Sequence, residues 1–146
     1  MDTYWKLCAG GDPGLPYTWS FSGGATDSIA LAAGGISDYI GVNTASPIEN
    51  SSGGQNASSL SILAPSVTTT LPNSLLIGAF GIVNLNGISA PGDMTDVYGH
   101  NSSDGPSVEN AHSIQAVAGA SLTETATATN SAGINIGQLI AVAPGP

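Results

Sequence analysis

The sequence predicts an all-β protein: one antiparallel β-sandwich, jelly-roll-like, forming a single domain over residues 1–146. Three observations lead there. The dominant local period is two, as in Tyr17, Trp19 and Phe21 alternating with Thr18, Ser20 and Ser22. Turn signals separate the alternating runs, among them Asp12-Pro13-Gly14, Gly23-Gly24, Ser52-Gly53-Gly54, Asn86-Gly87, Pro91-Gly92, Asp104-Gly105-Pro106 and Ala132-Gly133. No window of a dozen residues carries a helical stripe.

The pattern places strands near 3–8, 16–22, 27–33, 36–42, 58–64, 74–83, 94–99, 107–118, 121–129 and 134–143. The second owes its assignment to the aromatic face Tyr17, Trp19 and Phe21, expected to point inward as core. Leu60 and Ile62 alternate with Ser59 and Ser61 in the fifth. Leu75 to Val83 is the longest apolar stretch, and it is far short of the roughly 20 residues of a membrane helix. Thr123, Thr125, Thr127 and Thr129 alternate with Leu122, Glu124, Ala126 and Ala128, and threonine's stiff branched Cβ suits a pleated surface. Ile134, Ile136, Ile140 and Val142 share one face of the last strand. Asn86-Gly87, between Ile82-Val83 and Ile88, reads as a hairpin. Gly119, between the Val108–Ala118 run and the threonine strand, reads as another. The polar stretch Asn50 to Ser59 reads as a long exposed loop.

Composition narrows the function. Ten acids stand against one base, Lys6, for a net charge of −9, and arginine is absent. Only 8% of residues are charged, against about 25% usually. Nucleic acid needs a basic face, so it is excluded as a partner, and an anionic membrane surface is disfavoured on the same ground. Small polar residues and 20 glycines replace the missing charge, while 41% of the chain stays hydrophobic, so the composition is not that of disorder. Surfaces poor in Lys and Glu are associated with extracellular and virion proteins. No signal peptide is visible, so the expectation is assembly without such export or an export segment missing from the sequence. A lone Cys8 makes no intramolecular disulfide and is expected to be a small buried hydrophobe on an early strand. Five of the eight aromatics fall in the first 21 residues: Tyr4, Trp5, Tyr17, Trp19 and Phe21. Either two adjacent strands supply the heavy end of the core, or Tyr4, Trp5 and Trp19 form a face for assembly or for stacking on sugar.

Several segments carry a resemblance. Ile40 to Ile48 (IGVNTASPI), Ala64 to Ile77 (APSVTTTLPNSLLI), Pro91 to Asp96 (PGDMTD) and Ala118 to Thr127 resemble, in order and spacing, successive steps of a β-sandwich domain of bacteria and phages. The resemblance covers most of residues 4–143. It implies a jelly-roll-like sandwich of the kind found in phage tail and virion proteins and in large secreted bacterial proteins. It transfers no catalytic residue. Members of that group usually have further strands before Tyr4-Trp5-Lys6 and end in a strand containing a base, which Leu139 to Ala143 lacks. The absent early strands imply an open sheet edge covered by something else.

Chemistry finds little support. His100 and His112 exist, but no G-x-S-x-G accompanies them. Two histidines twelve apart and a distant Cys8 do not form a zinc site. Asp93 and Asp96 read as solvated turn acids. Calcium is the one conceivable ion, since Asp93, Asp96, Asp104 and Glu109 flank one loop, although no EF-hand spacing is present. Sequons at Asn50, Asn56 and Asn101 fall in expected loops. The expectation is therefore a non-catalytic structural protein without cofactors, in a virion (tail, fibre or capsid decoration) or an extracellular filament. Its partners would be copies of itself or other subunits, assembling as a homo-oligomer. The alternative is a secreted or cell-surface module that binds carbohydrate or mediates adhesion.

Overall fold

The computed structural model describes residues 1–8, 16–18, 32–84, 87–101 and 105–146. Among them the chain forms strands and no helix: β1 Ile48–Ser59, β2 Ser61–Ala64, β3 Thr68–Thr69, β4 Ser74–Ile82, β5 Ile88–Ser89, β6 Thr95–Asn101, β7 Ser107–Gln115, β8 Gly119–Ala120, β9 Glu124–Ala128 and β10 Gly133–Val142. The larger sheet runs β1-β10-β4-β7-β6 and the smaller β2-β9-β5, while β3 and β8 pair as a short ribbon. Every pairing is antiparallel. The expected sandwich is what forms.

The alternation of β4 sets the core. Leu76, Phe80 and Ile82 point inward at every second position, as period two requires. The register puts Phe80 beside Gly137 on one side and Glu109 on the other. From the smaller sheet Ile62, Ala64, Ala126 and Ala128 meet them, while Thr125 and Thr127 face solvent. Phe80, Ile62 and Leu139 are fully buried, and each contributes about 1.5–3 kcal/mol by leaving water. At Gly137 the sheets approach so closely that a β-carbon would overlap the Leu63 carbonyl; only glycine fits there.

Several expectations need correction. The stretch Asn50 to Ser59 is not a loop but most of β1, a twelve-residue strand paired along β10. Its inward side chains are polar because they bond the chain that crosses over them. Asn50 Nδ2 donates to Thr68 O at 3.1 Å, Asn56 Nδ2 to Leu63 O at 3.0 Å, and Ser52 Oγ to Pro65 O. The sequons at Asn50 and Asn56 thus lie in a strand, with their amides engaged. Gly87 and Gly119 do not turn the expected hairpins, and Asn86 lies outside the described residues. After β4 the chain crosses to the smaller sheet, where β5 pairs with β9 and Gly87 O accepts from Thr129 N at 2.9 Å. After β7 it crosses through β8, which pairs with β3.

Residues 3–8 and 36–42 form no strands. Val42 makes a single bridge to Pro144, and Asn43 N donates to Ala143 O at 3.0 Å, so this part of the chain lies beside the last residues. Of the expected strands 16–22 and 27–33, residues 16–18 and 32–33 are not strand, and the others lie outside the described residues. Tyr17 is not core but exposed, and Trp19 and Phe21 lie outside the described residues. Cys8 is exposed and on no strand. Phe80 is the one aromatic of the core among the described residues.

Candidate functional site

Two of the expected face residues are at the surface. Tyr4 is 72% and Trp5 61% exposed, and Met1 and Leu7 are exposed beside them in sequence. This arm, residues 1–8, runs without strand pairing; Thr3 Oγ1 donates to Gln138 Oε1 at 2.6 Å, on the outer face of β10. The Lys6 ammonium lies over the Tyr17 ring, 5.4 Å from its centre, which ties residues 16–18 to the arm. Trp19, the third expected residue, lies outside the described residues.

The edges of the larger sheet are β1 and β6. Along β1 the only charged residue is Glu49, and there is no proline or lysine. Edges are usually guarded by such residues. β6 has a bulge at Val97 and is exposed everywhere except at Tyr98.

Glu49 itself faces the turn between β3 and β4. Its Oε2 accepts from Thr70 N at 2.7 Å, Thr70 Oγ1 at 2.9 Å and Leu71 N at 3.2 Å, and its Oε1 accepts from Ser74 Oγ. Burial alone would raise this carboxyl, but the donors from Ser74, Thr70 and Leu71 together outweigh it and hold Glu49 below the usual carboxylate value. The same turn places Asn73 in the left-handed region, φ 60°, which Asn tolerates.

The segment Pro91 to Asp96 carries the least expected chemistry. Met94 N donates to Pro91 O at 3.0 Å, closing a turn that drives Met94 into the core beneath Gly78. On one side of Met94 in sequence, Asp93 hydrogen-bonds Glu124 of β9; on the other, Asp96 hydrogen-bonds Glu109 of β7. Both glutamates point inward, 4% and 3% exposed, while both aspartates are exposed. Desolvation, first, and the paired aspartate, second, push Glu109 and Glu124 each up to about 7. Two carboxyls bond one another only through a shared proton, and Glu109 Oε1 is buried with no hydrogen-bond partner. Sequence reasoning read Glu109 only as a calcium candidate and gave Glu124 no role beyond its place in the threonine strand. The signal was present: Glu109 falls in step with Ser107 and Ala111, and Glu124 with Ala126 and Ala128, at core-facing positions.

The loop acids expected to flank a calcium ion therefore separate. Asp96 meets Glu109, Asp93 goes to Glu124, and Asp104 lies outside the described residues. Among the described residues no group of three or more His, Cys, Asp or Glu is placed to hold a metal. His100 is exposed on β6, and His112 is half-buried on β7. No described helix is long and apolar enough to cross a membrane. Comparison with known protein families, with curated proteins and with solved structures finds no match.

Proposed function

We propose that this chain is a non-catalytic structural subunit of a virion or an extracellular filament, and that it assembles with copies of itself through its sheet edges and its aromatic arm. The observation that carries the reading is β1. It is a twelve-residue edge strand whose one charged residue, Glu49, is already held by the β3–β4 turn. Nothing among the described residues pairs with its outer side. A second strand adding there forms a ladder without desolvating a charged side chain. The exposed arm with Tyr4 and Trp5 adds apolar area of the kind that becomes the centre of an interface. The winding of the chain, in which β1-β10-β4-β7 face β2-β9-β5 and sequence neighbours cross between sheets, accords with a jelly roll.

The charge of −9 per copy opposes association. At physiological salt the Debye length is about 8 Å, so most of that repulsion is screened between subunits. Sedimentation of the chain at high concentration should show an oligomer or lattice at physiological salt that weakens at very low ionic strength. Ala57→Lys, which places a cation at an exposed position of β1, should reduce it at physiological salt. A monomer at every salt concentration would overturn the proposal.

A further inference from the structure

On the outer face of the larger sheet, residues 35–39 lie over β6 and β7 and border a cleft of about 470 Å³. Gly35 backs onto the Tyr98 ring so closely that a β-carbon would fall within it. Tyr39 and His112 meet edge to face, with ring centres 5.7 Å apart at 68°. Ile36 and Asp38 complete the rim.

Two residues lining the cleft carry a buried side-chain polar atom with no hydrogen-bond partner, the Tyr39 hydroxyl and His112 Nδ1; a third such atom, Asn110 Oδ1, lies outside the lining. Asn110 is the cross-strand partner of Tyr98, is 5% exposed, and has its amide fixed by donation from Nδ2 to Gly78 O at 3.0 Å. Native proteins leave few buried polar atoms dry, and two on facing rings of one cleft mark a place where something else supplies the bonds.

The geometry points to a binding site for one neutral pyranose ring of a glycan, held between Tyr39, Tyr98 and His112. This goes beyond assembly and does not depend on it. The aromatic walls suit the apolar face of a sugar ring, and the unpartnered atoms suit its hydroxyls, which both donate and accept. Burial, then the neighbouring Tyr39 and Glu109, push the Tyr98 phenol above its ordinary value, so it stays a neutral donor. An anionic ligand is poorly served. No lysine or arginine lines the cleft, Asp38 stands at its rim, and the chain's one base lies over Tyr17.

The test is an NMR titration of the isotope-labelled full chain with methyl β-galactopyranoside, methyl α-glucopyranoside and methyl α-mannopyranoside, with glucuronate as the anionic comparison. At least one neutral glycoside should shift the Tyr39, Tyr98 and His112 signals saturably, with a Kd on the order of 1–10 mM, and glucuronate should not. His112→Phe keeps the ring and removes the nitrogen, and should weaken binding about tenfold. Ile36→Arg blocks the mouth from a position 60% exposed, where folding is not at stake, and should abolish binding. The proposal is overturned if no neutral glycoside gives saturable shifts, if the shifts centre on Trp5, if glucuronate binds as well, or if either variant binds like the parent.

Discussion

Glu109 and Glu124 are buried within the sandwich and Glu49 is half-buried at its edge, yet the carboxyls are driven in opposite directions. Glu49 meets four donors and is held ionised. Glu109 and Glu124 each meet an aspartate and are held protonated, near 7. Burial pushes all three the same way. What separates them is the supply of N–H and O–H groups. The β3–β4 turn offers backbone and hydroxyl donors, whereas the Pro91–Asp96 turn offers only a carboxyl to each glutamate. One region is a clamp that needs charge, the other a closure that needs protons.

Removing the clamp should have the largest effect. Glu49→Ala removes the acceptor of Thr70 N, Leu71 N and two hydroxyls and, discounted for water at this half-exposed turn, should cost about 2 kcal/mol in urea denaturation at pH 7. Glu49→Gln keeps one acceptor oxygen but turns an amide toward donors, so it should fall between. Because the folded carboxyl lies below the ordinary 4.5, its contribution is complete above the unfolded value and is lost as pH falls through the folded one. The alanine variant should lack that acid-side decline. A cost under about 0.5 kcal/mol would show that the turn stands without the carboxylate.

The closure should show the opposite slope. With folded values near 7 and ordinary values of 4.5, the native chain keeps protons that the unfolded chain has released between those limits. Stability from both groups is therefore present below about pH 4.5 and declines as pH rises through 7. Allowing for solvent at the exposed aspartates, each glutamate contributes about 1–2 kcal/mol to that decline. Urea midpoints should be higher at pH 5.5 than at pH 8. Glu109→Gln with Glu124→Gln should flatten the difference, because an amide donates to the aspartate at every pH. Stability that rises between pH 5.5 and 8 would sink this account.

The two regions also differ in how far the sequence disclosed them. Strands β4, β7, β9 and β10 were legible because apolar and small residues alternate with polar ones at strand period. β1 was not, since its inward positions are Asn50, Ser52, Gly54 and Asn56, which satisfy crossing backbone instead of packing on side chains. Turn signals at Gly87 and Gly119 marked where the chain reverses but not which sheet receives it, which is decided by pairing with β9 and β3, distant in sequence. The cleft residues Tyr39 and His112 come together across some seventy residues, and no local pattern announces that. The alternating aromatics near Tyr17 looked like a buried strand, but Tyr17 instead lies beneath Lys6 at the surface.

The smallest effect separates burial from the aspartate's share in each pair. For Glu109 and Glu124 alike desolvation is the largest cause, and the repulsion and hydrogen bond of the paired aspartate, Asp96 or Asp93, add to it. Asp96→Asn and Asp93→Asn each remove the repelling charge and offer an amide donor that favours the ionised glutamate. Both should bring the partner's titration down from about 7, yet leave it above 4.5, because burial stands first for both and is untouched. Both aspartates are exposed, so raising salt from about 0.02 to 0.5 M should screen their fields and lower both midpoints slightly, as followed by carboxyl ¹³C shifts. A midpoint returning fully to 4.5 in either asparagine variant would mean that the aspartate rather than burial sets that value.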